Sequence, residues 1–281
     1  MLLRFIVLLS LVFSSVISLI VGAFESYRWL WLLPLLALGF IVAMAACVYG
    51  YVDLLRRQVN LDEEQDGDDP HYRKVAELLI ESLVPLARVS VKTKGLQKVP
   101  AEGRFILVCN HVNDLDPAPI LYALPGRQLA FVAKQEVRDM FLIGAFLHKL
   151  QGQFINREND REALKTILKC IQILKENKGS VAVFPEGGIH DDRKFHRFRP
   201  GVFKIAQRTK VPIVVCTLRN TPTVFHNMAH LKPCDVDLHL LTVIQPEEYE
   251  GISTVELANR IHDIMAEDIG YDGVFHGTEN T

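Results

Sequence analysis

The stretch RFILVCNHVNDLDP, residues 104–117, runs from an apolar segment through a polar turn to a proline. The apolar run RFILVC at 104–109 predicts a buried strand, and Asp116 followed by Pro117 is typical of a helix that begins there. A buried strand that leads directly into a helix is a building unit of α/β folds. His111 and Asp116 both lie in the connection between these two elements.

The spacing of His111 and Asp116 allows two interpretations. On a continuous helix, five residues advance by about 500°, so the two side chains would point about 140° apart and would not meet. They meet only if residues 112–115 fold back as a turn, which places a carboxylate beside an imidazole. In the alternative, Asp116 caps the helix and has no chemical role. The spacing alone leaves both interpretations open.

Strand-like and helical patterns alternate along the rest of the chain. This alternation predicts an α/β domain with a largely parallel sheet that is covered by helices on both faces. Such open sheets bind ligands at the carboxyl ends of their strands, where His111 and Glu186 both lie. The further strand candidates are residues 128–133, 180–184, 212–218 and 237–244; the helix candidates are Pro117–Leu124, Gln135–Lys149, Asp160–Lys175, Gly201–Thr209 and Thr254–Asp268.

The amino-terminal part contains two long segments without a charged residue, 5–24 and 29–52. Each is about as long as a helix that crosses the hydrocarbon core of a bilayer. Only the turn Glu25–Arg28 separates them, so residues 1–57 are predicted to form a transmembrane hairpin. A cleaved signal peptide is the alternative for the first segment, and the second segment that follows at once argues against it.

Positive charges predict the orientation of this hairpin. Arg56 and Arg57 follow the second span and Arg4 precedes the first, whereas the connecting turn has one arginine offset by Glu25. The positive-inside rule places both ends on the cytoplasmic side. We therefore expect an integral protein, of the cell membrane, with everything after residue 57 on its cytoplasmic side.

An acidic run, LDEEQDGDD at residues 61–69, follows the hairpin. It can bury little apolar surface, so residues 58–70 are predicted to be a solvated tether that leads into a domain at 71–281. The formal net charge of the chain is −2, which does not support nucleic-acid binding.

The five cysteines are dispersed and form no C-x-x-C pair, which is typical of a reducing compartment. Cys109 lies two residues before His111, so a Cys–His nucleophile is one alternative, although the apolar run that it ends favours strand packing. A metal-dependent hydrolase that uses His111, Asp114 and Asp116 is another. No second His-rich set of ligands with suitable spacing accompanies these residues, so no metal is expected.

Four short motifs together resemble those of the glycerolipid acyltransferase family. The family pattern N-H-x-x-x-x-D is similar to NHVNDLD at 110–116, and the other three are AKQEV at 133–137, GQFINR at 152–157 and FPEG at 184–187. The resemblance covers roughly residues 75 to 245. One departure follows FPEG, where the family usually has Thr and Arg and this chain has Gly188 and Ile189; a basic residue returns only at Arg193.

The resemblance implies transfer of a fatty acyl group from acyl-CoA or acyl-carrier protein to a lysolipid hydroxyl. The acceptor that it implies is 1-acyl-glycerol-3-phosphate, which gives phosphatidate in phospholipid biosynthesis, with membrane lipids as partners and no cofactor besides the acyl donor. A family enzyme with another acceptor, such as a different lysophospholipid or an aminolipid, is an alternative. A non-catalytic membrane adaptor is a further one.

The resemblance also implies roles for individual residues. A neutral histidine, His111, suits removal of the hydroxyl proton, and Asp116 would fix its tautomer. The remaining roles are substrate binding: Lys134 and Arg157 at the phosphate, Glu186 at the glycerol, and backbone amides near Gly187 and Gly188 at the oxyanion. The alternative interpretations are structural. Lys134 could be the solvated end of a strand, and Arg157 could form an ion pair with the nearby Glu158 or Asp160.

Overall fold

The computed structural model describes residues 2–20, 29–189 and 194–270. The predicted connecting turn, Glu25–Arg28, and the basic residue Arg193 lie outside these described residues. The chain forms two compact units, of which the first ends at Asn60 and the second begins at Leu61.

The first unit consists of helices α1 (Leu2–Ile20) and α2 (Trp29–Arg57). The two helices pack together, with the rings of Phe13 and Phe40 4.7 Å apart. Three serines spaced four residues apart on α1, at positions 10, 14 and 18, are fully buried. Small residues of this kind allow helix backbones to approach closely.

Of the described residues, Leu32–Arg57 forms a helix long and apolar enough to cross a membrane. The apolar part of α1, Phe5–Ile20, is shorter than a full span. The structure therefore supports the predicted hairpin in part, through α2 and through its packing with α1.

The second unit is built around one seven-stranded sheet with the order β1–β7–β6–β2–β5–β3–β4, counted over the residues described. The five strands from β6 to β4 in this order are parallel to one another; β7 is antiparallel to β6, and β1 is parallel to β7. The strands are β1 (Val89–Lys94), β2 (Ile106–Val108), β3 (Leu129–Lys134), β4 (Gln153–Ile155), β5 (Ser180–Val183), β6 (Ile213–Arg219) and β7 (Cys234–Ile244).

Helices cover both faces of the sheet, which confirms the predicted architecture. On one face α6, α7 and α10 pack on strand residues such as Val108 and Val183. On the other face α4 and α8 pack on residues such as Leu107 and Cys109. The helices of this unit are α3 (Pro70–Leu86), α4 (Pro117–Ala123), α5 (Ile143–Lys149), α6 (Asp160–Lys175), α7 (Lys204–Thr209), α8 (Val224–Ala229), α9 (Pro246–Tyr249) and α10 (Thr254–Ile269).

The helix predicted for Gln135–Lys149 is interrupted. It consists of a 3₁₀ helix, Gln135–Asp139, and then α5. Leu142 has a φ of 65°, a left-handed conformation that a continuing right-handed helix does not contain. Gly144 permits the tight turn, because a Cβ atom there would lie 1.9 Å from the carbonyl oxygen of Arg138.

The acidic run 61–69 remains largely exposed and contacts the domain through several ion pairs. Asp68 and Arg73 form an ion pair with a closest distance of 2.5 Å, and both side chains are buried. Exposed pairs continue the contact, and they join Asp62 to Arg138, Glu64 to Lys169 and Asp66 to Lys178. Exposed pairs contribute little each, so the buried pair is the main attachment. The sequence did not indicate these contacts, because the basic partners on the domain are distant in sequence.

Candidate active site

The connection between β2 and α4 folds back on itself, as the first interpretation of its sequence requires. The backbone N–H of Asp116 donates to the carbonyl of Asn113 at 3.0 Å, and the side chain of Asn113 accepts from the N–H of Leu115 at 2.9 Å. This turn brings Oδ2 of Asp116 to 2.9 Å from Nδ1 of His111. The two side chains therefore form a hydrogen-bonded pair at the carboxyl end of β2.

Asp116 does not cap α4. Its side chain makes no hydrogen bond to the first turn of that helix, and its backbone is already helical, with φ −54° and ψ −33°. Oδ2 accepts from the N–H groups of Val112 at 2.7 Å and Asn113 at 2.9 Å, while Oδ1 accepts from the hydroxyl of Thr221 at 2.6 Å. Asp116 is thus fully buried, and both of its oxygens are engaged by hydrogen bonds that hold it beside the imidazole.

The imidazole of His111 is held by two contacts. Its ring stacks on Phe184 with the centroids 4.3 Å apart and the planes inclined by 18°. The contact of Nδ1 with Asp116 leaves Nε2 as the ring nitrogen that a substrate can reach, and the side chain is 18% exposed. A histidine that is fixed but still accessible has the geometry of a general base.

Asn110 anchors the strand end that carries His111. Its side chain donates to the carbonyl of Leu218 at 2.8 Å and accepts from the N–H of the same residue at 2.7 Å. These two bonds tie the end of β2 to the neighbouring strand β6. We infer that Asn110 positions the pair, a role that its place in the motif did not indicate.

Glu186, at the carboxyl end of β5, is engaged by the backbone on both carboxylate oxygens. One oxygen accepts from the N–H of His111 at 2.8 Å and the other from the N–H of His196 at 3.2 Å. Burial raises the pKa of this carboxyl to about 7, even though both backbone bonds act to lower it. These bonds link the loops that carry His111 and His196, and the glycerol contact that the family resemblance implies for Glu186 stays a prediction.

Lys134 and Arg157 converge on Gly188, in the loop that follows β5. A Cβ atom at Gly188 would lie 3.4 Å from Nζ of Lys134 and 3.8 Å from Nη1 of Arg157. Within the described part of the chain, no ion pair joins Arg157 to Glu158 or Asp160, and its buried Nη1 has no hydrogen-bond partner. A buried cationic donor without a partner is costly unless an anion binds to it.

The amide of Gly187 is not available for the oxyanion role proposed for it, because it donates to the carbonyl of Phe184 at 3.3 Å. Gly187 has a φ of 88°, in the left-handed region that favours glycine. Its importance in this structure is therefore conformational.

The two alternative chemistries are not supported by the site. Cys109 is fully buried, and this burial raises the pKa of its thiol well above the ordinary value, so it is unsuited to act as a thiolate nucleophile. For a metal-dependent hydrolase, no group of three or more His, Cys, Asp or Glu side chains in the described residues is arranged to hold a metal ion. Both oxygens of Asp116 are already occupied by hydrogen bonds.

A cleft of about 620 Å³ adjoins the site. One of its walls includes Phe184, the residue on which His111 stacks, and Arg157 and Arg199 also line it. The remainder of the lining is mainly apolar and comes from β3, β4, β5 and α6, including Val132, Ile155, Leu164, Ile167 and Val183.

A buried aspartate paired with a partly exposed histidine, beside a cluster of cations at the carboxyl edge of a mainly parallel sheet, is an arrangement suited to acyl transfer in an α/β domain. Comparison with known families agrees, because the acyltransferase family model matches residues 90–219. Over that region the chain is similar to the acyltransferase family, and the matched residues include the histidine–carboxylate pair.

Several relatives are named 1-acyl-sn-glycerol-3-phosphate acyltransferase. The chain is 27% identical to that of Borreliella burgdorferi over 169 residues, which are 59% of this chain and 67% of the relative. It is 26% identical to that of Saccharomyces cerevisiae over 197 residues, 68% of this chain and 64% of the relative. The crystal structure of the 1-acyl-sn-glycerophosphate (LPA) acyltransferase PlsC from Thermotoga maritima matches with a TM-score of 0.58 and 24% identity, over 81% of this chain and 91% of that one. The structural match supports the fold.

Proposed function

We propose that this protein transfers a fatty acyl group from an acyl thioester to the free hydroxyl of 1-acyl-glycerol-3-phosphate, which forms phosphatidate. The proposal rests on the loop 184–188, which lies between the His111–Asp116 pair and the cations Lys134 and Arg157. Its first residue, Phe184, stacks on His111, and its last, Gly188, lies against Lys134 and Arg157. The loop thus connects a reactive imidazole with fixed cations, the combination that a phosphorylated alcohol requires.

The proposed reaction is a direct acyl transfer. Nε2 of His111 accepts the proton of the acceptor hydroxyl as its oxygen attacks the thioester carbonyl. The C–O bond forms, the C–S bond breaks, and the imidazolium returns the proton to the leaving thiolate. Asp116, which faces Nδ1, fixes the tautomer and stabilises the imidazolium while it exists.

The phosphate of the acceptor is proposed to bind Arg157 and Lys134. A guanidinium offers two parallel N–H donors to a phosphate, and charge-assisted bonds of this kind are stronger than neutral ones. The unpartnered Nη1 of Arg157 is the donor that such a phosphate would satisfy. The apolar walls of the adjoining cleft suit an acyl chain.

The acceptor is a membrane lipid, and we propose that α2 anchors the enzyme in the membrane that contains it. Arg56 and Arg57 at the end of α2 favour a catalytic domain on the cytoplasmic side. In sealed vesicles whose cytoplasmic side faces inward, added protease should leave the region around His111 intact. Cleavage there would refute this orientation.

A panel of acceptors tests the proposed substrate. Purified full-length protein should be assayed with lysophosphatidate, a lysophospholipid with a choline headgroup, a monoacylglycerol and an acylated amino acid, each with acyl-CoA and with acyl-carrier protein. Loss of one charge-assisted contact costs about tenfold to a hundredfold, so kcat/KM should be higher for lysophosphatidate than for monoacylglycerol by at least that factor.

The same panel tests the alternative acceptor. Gly188 and Ile189 stand where the family usually has Thr and Arg, and this difference is the observation that favours a different acceptor. If kcat/KM for an acceptor without a phosphomonoester equals or exceeds that for lysophosphatidate, that acceptor replaces lysophosphatidate in our proposal.

A further inference from the structure

The segment after the FPEGG loop, residues 194–199, folds back onto that loop. The N–H of Arg199 donates to the carbonyl of Pro185 at 2.8 Å, and the N–H of His196 donates to Glu186 at 3.2 Å. Phe198, between them, is buried and belongs to the core of the domain. These contacts fix the backbone of Arg199 beside the loop at 184–188.

The side chain of Arg199 lies directly over Gly187. A Cβ atom at Gly187 would lie 2.4 Å from Nε of Arg199 and 2.7 Å from its Cδ, so the guanidinium stem occupies the space that only a glycine leaves open. The next residue, Gly188, is approached in the same way by Lys134 and Arg157. Three cations therefore converge on two consecutive glycines.

These cations lie close enough to influence one another. Burial, and then the positive charge of Arg199, lower the pKa of the Arg157 guanidinium, while the negative charge of Glu136 acts in the opposite sense. Among the described residues, neither Arg157 nor Arg199 forms an ion pair with a carboxylate. Like charges held together without an anion destabilise the folded protein, and a bound dianion removes that cost.

We infer that Arg199 is a third phosphate-binding residue, which grips the acceptor's phosphate together with Arg157 and Lys134 and thereby sets acceptor specificity. The inference rests on the proposed function. Ile189 follows Gly188 and supplies no charge, and Arg199 brings a cation to the same loop from a position ten residues further along the chain. Both arginines line the cleft beside His111's stacking partner, Phe184.

The test compares Arg199→Ala with Arg197→Ala in the full-length protein. Arg197 is a matched control, because it is an arginine of the same segment, exposed like Arg199, and is not among the groups nearest to the two glycines. For Arg199→Ala we expect the KM for lysophosphatidate to rise about tenfold or more, with kcat and the KM for the acyl donor within about twofold of wild type. Arg197→Ala should resemble wild type in all three, and both variants should keep the wild-type melting temperature.

Two further measurements separate phosphate binding from support of the loop. With monoacylglycerol, which has no phosphate, wild type and Arg199→Ala should have the same KM. Arg199→Lys should recover part of the loss, because the charge is restored without the planar fork. The double variant Arg157→Ala/Arg199→Ala should lose less than the product of the two single losses, since both residues hold one group.

Three outcomes would overturn this inference. The first is a KM for lysophosphatidate that is no higher in Arg199→Ala than in Arg197→Ala. The second is an equal rise in the KM for the acceptor without phosphate. The third is a rise confined to the KM for the acyl donor, which would assign Arg199 to the donor's phosphates. A wild-type protein that makes no phosphatidate would instead refute the proposed function, so the two failures are distinguishable.

Discussion

Replacing His111 by alanine is expected to reduce acyl transfer by about a thousandfold or more, because the variant lacks the group that accepts the hydroxyl proton. General-base catalysis typically contributes a factor of about 10² to 10⁴ in rate. Asp116 acts by orienting His111, so its contribution is lost as well. The measurement is the initial rate of phosphatidate formation by the full-length variant in detergent or lipid. Because the imidazole is only 18% exposed and bonds to Asp116, the melting temperature should fall moderately, and the variant should still unfold cooperatively.

His226→Ala is the matched control for that variant. His226 is an exposed histidine on α8, outside the site, so its removal should leave the rate within about twofold of wild type. If His111→Ala retained activity within a few-fold of wild type, His111 would not be the base.

Asp116→Asn is expected to lower kcat by at least about a hundredfold. An amide has one acceptor oxygen, whereas the carboxylate of Asp116 accepts from His111, from two backbone N–H groups and from Thr221. The histidine then loses the partner that fixes its tautomer. Leaving a buried donor unpaired also costs about 1–3 kcal/mol of stability, so the melting temperature should fall moderately.

Thr221→Val separates these two effects. It removes the hydroxyl that donates to Oδ1 of Asp116 but leaves the contact with His111 in place. We expect a similar loss of stability with a much smaller loss of kcat. An Asp116→Asn enzyme with a lower melting temperature and nearly wild-type kcat would mean that Asp116 has only a structural role.

The elements that the sequence predicts best are those whose signals are local. Helix α6 has the predicted bounds, because Asn159 caps it through bonds to Arg161 and Glu162 and its apolar positions repeat with helical spacing. The buried central strands were likewise evident from uncharged apolar runs. Strands β1 and β4 were not predicted, since one is largely exposed and polar and the other has three residues.

The pairing of His111 with Asp116 was accessible to sequence reasoning because both residues lie in one short turn. Thr221 was not, since it is 105 positions from Asp116 and meets it only through the neighbouring strand β6. Glu186 was recognised in the FPEG motif, but nothing in the spacing shows that backbone amides already engage both of its oxygens.

Arg199 shows how a visible signal can still be ambiguous. The basic run around residues 193–199 is evident in the sequence, yet the sequence does not indicate which of its several cations would bind a substrate. The bond from the N–H of Arg199 to Pro185 decides which of them meets the glycine loop. The acidic run at 61–69 is a similar case. Its charges are evident in the sequence, but the lysines and arginines with which they form ion pairs lie far along the chain.

A product balance tests whether the enzyme transfers the acyl group directly to lysophosphatidate with His111 as the base. Purified full-length enzyme, in excess over labelled lysophosphatidate, is mixed with an acyl thioester, and both the released thiol and the lipid products are measured in a single turnover. We expect one phosphatidate for each thiol released by the wild-type protein, and neither product above background with His111→Ala. Thiol release accompanied by free fatty acid in place of phosphatidate, or phosphatidate formed at the wild-type rate by His111→Ala, would contradict it.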